Sequence, residues 1–257
     1  MLKEWNFIPC SSHDGFANMA IDEALLESHL SGNCPPVVRL YKFAPPAVTI
    51  GLSQKMAPDV VASIEAEGID VVRRPTGGRA VLHLNDLTYS FVGTDSSLAE
   101  GFLSTSVTQS YKEICAGLLA AFRLLGVESE LGSAGAGYRH LQDCFMATTG
   151  CDLHHRGTKL IGSAQVRRRG GVLQHGSVPL DQDPALMSRI LKEPTQSTAR
   201  HHNLFDAAGR VIPIEELEQA FKRGFEEAFG VRFKEQSLSN LIDTVAAGTP
   251  PPPVRSV

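Results

Sequence analysis

Apolar positions along FANMAIDEALLESHL (16–30), at Met19, Ile21, Ala24, Leu25 and Leu30, predict an amphipathic helix. Gly32 and the pair Pro35–Pro36 end it. The N-terminal MLKEWNFIPC starts directly as a strand, and VVRLYKF (37–43) and AVTIGL (47–52) follow as strands across a Pro-Pro turn. PDVVASIEAEG (58–68) reads as a short helix stopped by Gly68, IDVVRR (69–74) as a buried strand and LTYSFVG (87–93) as a strand rich in β-branched and aromatic residues. The clearest helix is 108–126, with Gly126 as its cap and Cys115 on its apolar side. A loop, LGSAGAGYRH, comes next. Strands over 159–167 and 172–180 then flank a turn at Arg169, Gly170 and Gly171. An amphipathic helix at 213–230 stops at Gly230, and 237–248 allows a last short helix. Strands and helices alternate irregularly and tight turns join several strands. The expected fold is α+β, with helices packed on a mixed, largely antiparallel sheet.

At 257 residues the chain suits one large domain. No repeat or internal linker divides it, so a single domain over 1–244 is expected, with 245–257 as a flexible Pro-rich tail. A net charge of −4 gives no reason to expect nucleic-acid binding. There is no apolar run long enough for a membrane span and no secretion-signal core. Five scattered cysteines (Cys10, Cys34, Cys115, Cys144, Cys151) point to reduced thiols in the cytoplasm rather than a disulfide framework.

Two segments hold candidate chemistry. In RRPTGGRAVLH (73–83), Gly77 and Gly78 permit a tight turn or close backbone approach to a ligand. Arg73, Arg74 and Arg79 would either host an anion or form a solvated face. In DCFMATTGCDLHHRGTKLIGSAQ (143–165), Cys144, Cys151, His154 and His155 raise the question of zinc. The seven-position separation of the cysteines is not a zinc spacing, and adjacent histidines on a strand point to opposite faces. A thiolate nucleophile is the other option. A free thiol with a pKa near ~8.5 is little ionised at neutral pH, and a nearby ammonium such as Lys159 would favour the thiolate. The residues alone also allow Cys144 as a buried hydrophobe and Lys159 as a surface lysine.

RRPTGGRAVLH, LTYS (87–90), Cys144–Phe145, the G-x-KLIGSAQ-x-R run (157–167) and LQHGS (173–177) occur in this order. Together with FANMAIDEALL and PPVVRLY they resemble the lipoate-protein ligase and octanoyltransferase family, and within it the LipM-type branch. The resemblance spans roughly residues 5 to 235. It implies a biotin/lipoate ligase-like catalytic domain that moves an octanoyl group from acyl carrier protein to a lysine of a lipoyl domain, typically the glycine-cleavage H protein. It also implies a cysteine thioester at Cys144, Lys159 as the residue that lowers that thiol's pKa, and no cofactor or metal. Arg74, Gly77, Gly78, Arg79 and His83 match the loop around the acyl group, and Gly162, Ser163 and Ala164 match a second wall.

Some positions depart from the family pattern. Leu84 follows His83 where an aspartate is usual, and the acid comes at Asp86; Thr148 replaces a proline; Cys151–Asp152 stand where Tyr-Glu is common. Cys151 is a rival nucleophile or redox partner for Cys144. Arg167, Arg168 and Arg169 either attract an acidic carrier domain or form a solvated turn. The competing activities are an ATP-dependent lipoate ligase and an amidotransferase between lipoyl domains. A non-enzymatic lipoyl carrier or zinc-stabilised binding module is the alternative outside enzymes. Cysteine before phenylalanine favours the transferase over the ligase.

Overall fold

In the computed structural model, which describes residues 2–132, 152–182, 190 and 202–238, the chain opens with strand β1 (Lys3–His13) and helix α1 (Gly15–Leu30). Strands β2 (Val37–Phe43) and β3 (Ala47–Ile50), helix α2 (Pro58–Ala66), and strands β4 (Asp70–Arg73), β5 (Val81–His83) and β6 (Asp86–Thr94) follow. Helix α3 (Val107–Leu124) leads to β7 (Glu130–Leu131), β8 (Leu153–His155), β9 (Thr158–Arg168) and β10 (Gly171–Pro179). Helices α4 (Leu204–Ala208) and α5 (Ile214–Phe229) and strand β11 (Val231–Glu235) complete the described chain. The expected last helix and Pro-rich tail lie almost wholly outside the described residues.

The eight-stranded sheet runs β11-β1-β2-β6-β10-β9-β8-β7, and a three-stranded sheet runs β4-β3-β5. In the large sheet, β1 pairs in parallel with both β11 and β2, and the remaining neighbours are antiparallel. The mixed, largely antiparallel α+β expectation is therefore met. Strands β2 and β3, though nearly consecutive, do not pair: β2 joins β1 and β6, while β3 joins β4 and β5. The Pro45–Pro46 segment thus passes the chain from one sheet to the other. The β9–β10 hairpin turns on Arg169 and Gly170, both with positive φ (51° and 82°), the twist that matches flanking strands. The sequence reading places His154 and His155 on a strand, here β8, but its pattern does not reveal β5, β7 or β11. The first two have only two or three residues, and β11 (VRFKE) is an edge strand with three charges.

Capping and periodicity account for the long helices. The Asp14 side chain accepts from the Ala17 N–H at the start of α1, and Ser106 from Gln109 N–H at the start of α3. Gly126 (φ 77°) and Gly230 (φ 62°) take the left-handed conformation where α3 and α5 stop. Cys115 is fully buried on α3, on its apolar side as the pattern predicts. Helix α1 departs from its predicted stripe. Met19 and Leu25 are buried, but Ile21, Ala24 and Leu30 are only partly so, and Asn18 and Asp22 are completely buried. The cause is Arg39 on β2, itself wholly buried, which draws the polar side of the helix inward.

Helices α3 and α5 cover the large sheet, packing Ile114, Leu118, Phe122, Phe221 and Phe225 against Phe7, Leu40 and Phe91. The two helices touch at glycines. A Cβ on Gly224 would sit 2.5 Å from the backbone of both Gly117 and Ala121. Gly224→Ala is therefore expected to push the helices apart and cost about 1–3 kcal/mol, read as a lower urea midpoint at unchanged m-value. An unchanged midpoint would mean that the helices do not approach this closely.

Candidate active site

A cavity opens where the two sheets and α1 meet, with about 340 Å³ of empty space including its mouth. Thr49 and His83 face it from the small sheet, Thr88, Ser163 and His175 from the large sheet, and Met19 from α1. Phe43, Val81 and Ala164 add apolar surface.

Arg74, at the end of β4, builds one side. Its guanidinium donates to the carbonyls of Thr49 (3.1 Å), Gly77 (2.7 Å) and Arg79 (2.7 Å), and to the hydroxyls of Thr49 and Thr76. Arg73 donates to the carbonyls of Gly51, Leu52 and Gln54. These two arginines bind backbone, because the segment after β3 and the 73–79 turn both present carbonyls to them. Gly78, with φ 95°, lies against this clamp: a Cβ would meet the Arg74 guanidinium at 2.6 Å. Gly77 is exposed, and a Cβ there would meet nothing. Arg79 joins the loop through its carbonyl, and its side chain does not line the cavity.

His83 stacks on Phe43 with centroids 3.9 Å apart. Its Nδ1 lies 2.8 Å from Asp86 Oδ2, and its Nε2 lies 2.9 Å from Thr49 Oγ1. The acid displaced to position 86 still reaches the ring, because Asn85 in the left-handed region (φ 54°) makes the two-residue turn that carries the chain from β5 in the small sheet to β6 in the large one. His175 has matching partners, Asp22 Oδ2 at 3.2 Å from Nδ1 and Thr76 Oγ1 at 2.7 Å from Nε2. Burial holds the His175 pKa below the ordinary histidine value, against the opposing pull of Asp22. Burial alone would raise Asp22, but hydrogen bonding from His175 and the charge of Arg39 outweigh it and keep the carboxyl low.

The second wall is β9. Gly162, Ser163 and Ala164 line the cavity, and Ser163 Oγ lies 2.8 Å from the Tyr89 hydroxyl, which also accepts from Gln174 Nε2 at 2.9 Å. Lys159 lies three residues earlier on the strand, roughly 10 Å along it. Its Nζ is 3.0 Å from Asp152 Oδ2, and both side chains are 2 % exposed. A buried ammonium is costly unless paired, and Asp152 supplies that pairing. Cys144 and Cys151 lie outside the described residues. Of the neighbouring histidines, His155 bonds through Nδ1 to the Glu128 carbonyl at 2.6 Å, and His154 has a lowered pKa from burial.

The hairpin arginines are paired within the chain. Arg167 reaches Asp95 (2.9 Å), Arg168 reaches Glu23 (2.8 Å) and Arg169 reaches Glu27. The hairpin folds back over α1 and the loop after β6, which presents these carboxylates. A carrier domain would have to displace those partners.

Sequence reasoning brought Arg74, Gly78, His83 and Gly162–Ala164 to one place. It missed Thr49 and His175 as cavity residues, Asp22 and Thr76 as the partners of His175, and Asp152 as the partner of Lys159. One signal was available: Asp22 and Arg39 interrupt apolar runs at positions that face a core.

Comparison with known proteins places this architecture. Residues 14–226 match the lipoyl protein ligase A/B catalytic domain model, and the chain belongs to that family. It is an enzyme of the acyltransferase class. It is 38 % identical over 248 residues to octanoyltransferase LipM of Carboxydothermus hydrogenoformans, covering 93 % of this chain and 91 % of that one. Octanoyltransferase LipM of Kyrpidia tusciae is 36 % identical, covering 93 % and 92 %. Among solved structures, a lipoate-protein ligase A bound with ATP superposes with a TM-score of 0.77 at 24 % identity, covering 95 % and 93 %. The bi-partite lipoate protein ligase of Thermoplasma acidophilum gives 0.70 at 21 %, covering 95 % and 91 %. These two share the fold. No helix among the described residues is long and apolar enough to cross a membrane.

Proposed function

We propose that this protein is an octanoyltransferase of protein lipoylation. It takes the octanoyl group from octanoyl-acyl carrier protein, holds it as a thioester on Cys144 and passes it to a lysine of a lipoyl domain such as the glycine-cleavage H protein. The observation that carries this reading is the likeness, over more than nine-tenths of the chain, to relatives named octanoyltransferase. The walled, partly apolar cavity supports it, because a straight acyl chain gains about 0.8 kcal/mol for each CH₂ it buries.

The chemistry needs no external activation. The Cys144 thiolate attacks the thioester carbonyl of the donor. The C–S bond to the carrier's pantetheine breaks, and that sulfur leaves as a thiolate that takes up a proton. One thioester replaces another, so little energy is lost. The acceptor lysine, as free amine, then attacks the acyl-enzyme. A C–N bond forms, the bond to Cys144 breaks, and the amine's proton passes to the departing sulfur or to water. The Lys159 ammonium favours the Cys144 thiolate, and Asp152 keeps that ammonium compatible with burial. Backbone N–H groups near 162–164 are the candidate donors to the tetrahedral oxyanion.

Intact-mass measurement after mixing with octanoyl carrier protein, without ATP, tests this. One octanoyl adduct is expected, sensitive to hydroxylamine and discharged by a lipoyl domain. Transfer that occurs only with free octanoic acid and ATP would replace this reading with a ligase.

A further inference from the structure

Two chains of hydrogen bonds run through the cavity wall, and Arg74 joins them. Its guanidinium donates to Thr49 Oγ1 (3.2 Å) and Thr76 Oγ1 (3.1 Å). A guanidinium can only donate, so each hydroxyl accepts there and offers its other neighbour its own hydrogen or its second lone pair. For Thr49 that neighbour is Nε2 of His83, at 2.9 Å; for Thr76 it is Nε2 of His175, at 2.7 Å. Beyond each ring, Nδ1 faces a carboxylate, Asp86 at 2.8 Å and Asp22 at 3.2 Å. An ionised carboxylate can only accept. Every other partner of these carboxylates donates: Thr88 and Ser177 to Asp86, and Arg39, Tyr41 and Ser90 to Asp22. Each ring therefore donates from Nδ1, and a ring with no second hydrogen accepts from its threonine at Nε2. The two rings come from different sheets, and both face the cavity.

We infer that Arg74, Asp22 and Asp86 are positioning residues that fix the hydrogen of both cavity histidines, His83 and His175, on Nδ1 and leave Nε2 to accept from Thr49 and Thr76. The wall then has one hydrogen-bond arrangement. Its polar groups are paired with one another, which suits an uncharged, apolar acyl chain, because a buried polar group left unpaired would cost binding. Arg74 acts through the threonines. The aspartates act directly on the rings. This assignment rests on the octanoyl-transfer reading for its purpose and on the hydrogen-bond geometry for its content.

Nitrogen NMR on the full chain, labelled at histidine and held at pH 7.5, reads the ring hydrogens directly. His83→Gln and His175→Gln assign the signals. Both rings are expected to show a hydrogen-bearing Nδ1 and a bare Nε2. A ring with its hydrogen on Nε2, or on both nitrogens, would overturn the assignment. Asp22 is a poor test site because it also holds Arg39, so Asp86 is the one to change. In Asp86→Asn the side-chain amide can donate, and the His83 hydrogen should move to Nε2 while His175 keeps its pattern. Acylation of Cys144 by octanoyl carrier protein should slow about 10- to 100-fold. Asp86→Glu should restore the ring pattern and most of the rate. A variant that loses stability but leaves the ring hydrogen where it was would also overturn the inference. If the rings behave as stated but the unaltered protein forms no octanoyl adduct, the positioning role stands and the transfer reading fails.

Discussion

Cys144→Ala is expected to lower octanoyl transfer to a lipoyl domain by about 10⁴-fold or more, with the fold intact. The size of the effect follows from what the thiol does. In the proposed mechanism it divides the reaction into two displacements, and donor and acceptor never need to be bound together. Without it, the acceptor amine must attack the carrier thioester directly, in a site that holds no intermediate. Single-turnover transfer followed by intact mass gives the measurement, and hydroxylamine release confirms the thioester. Cys151→Ala is the necessary companion and should keep both adduct and transfer. If Cys144→Ala still acquires the adduct and Cys151→Ala does not, the nucleophile is Cys151. Lys159→Met is a less direct probe. It leaves Asp152 buried without its cation, so lost activity there has to be separated from lost stability.

Arg39→Met is expected to destabilise the fold by about 3–5 kcal/mol. Arg39 and Asp22 are both wholly buried, 2.9 Å apart, and Arg39 also donates to Asn18 Oδ1 at 2.6 Å and stacks over Tyr41 at 4.0 Å. Removing the cation leaves the Asp22 carboxylate facing a hydrophobic interior. It retains only neutral hydrogen bonds from Tyr41, Ser90 and His175. Urea unfolding followed by circular dichroism measures the loss. A change below about 1 kcal/mol would mean that water reaches this pair and that α1 does not depend on it. The same substitution should also disturb the cavity, because Asp22 ties Arg39 to His175. Stability and acylation rate are therefore expected to fall together in this variant, whereas Asp86→Asn should separate them.

Much of the secondary structure was legible because it depends on neighbours in the chain. The long helices announce themselves by apolar spacing and by their stops at Gly126 and Gly230. The β9–β10 hairpin announces itself by its turn. Strands β5 and β7 were not legible, since two or three residues carry no period. Helix α1 was legible as a helix but not in its buried side. Periodicity takes a polar residue to face solvent, whereas Asp22 faces an arginine on β2. In the site, RRPTGGRAVLH and KLIGSAQ marked both walls. Arg73 and Arg74, two of the three arginines read as an anion host or a solvated face, hold backbone carbonyls, because an isolated loop sequence does not show how many backbone groups it leaves unpaired.

The sequence by itself determined the family, through the order and spacing of its own motifs, and with it the proposed pair Cys144 and Lys159; the family model and a relative 38 % identical agree on the family. It also determined where most long elements begin and end. Only the tertiary structure decided which residues make the cavity wall and what stands behind it: Thr49 with His83, Thr76 behind His175, Asp22 with Arg39 deeper in, and Arg74 between the two histidine chains. Those partners are separated by up to 99 residues. Their meeting depends on strand register and on the crossing of the chain from one sheet to the other. Local propensity carries no record of that register, because a hydrogen bond is decided by fractions of an ångström between atoms that only the finished fold brings together.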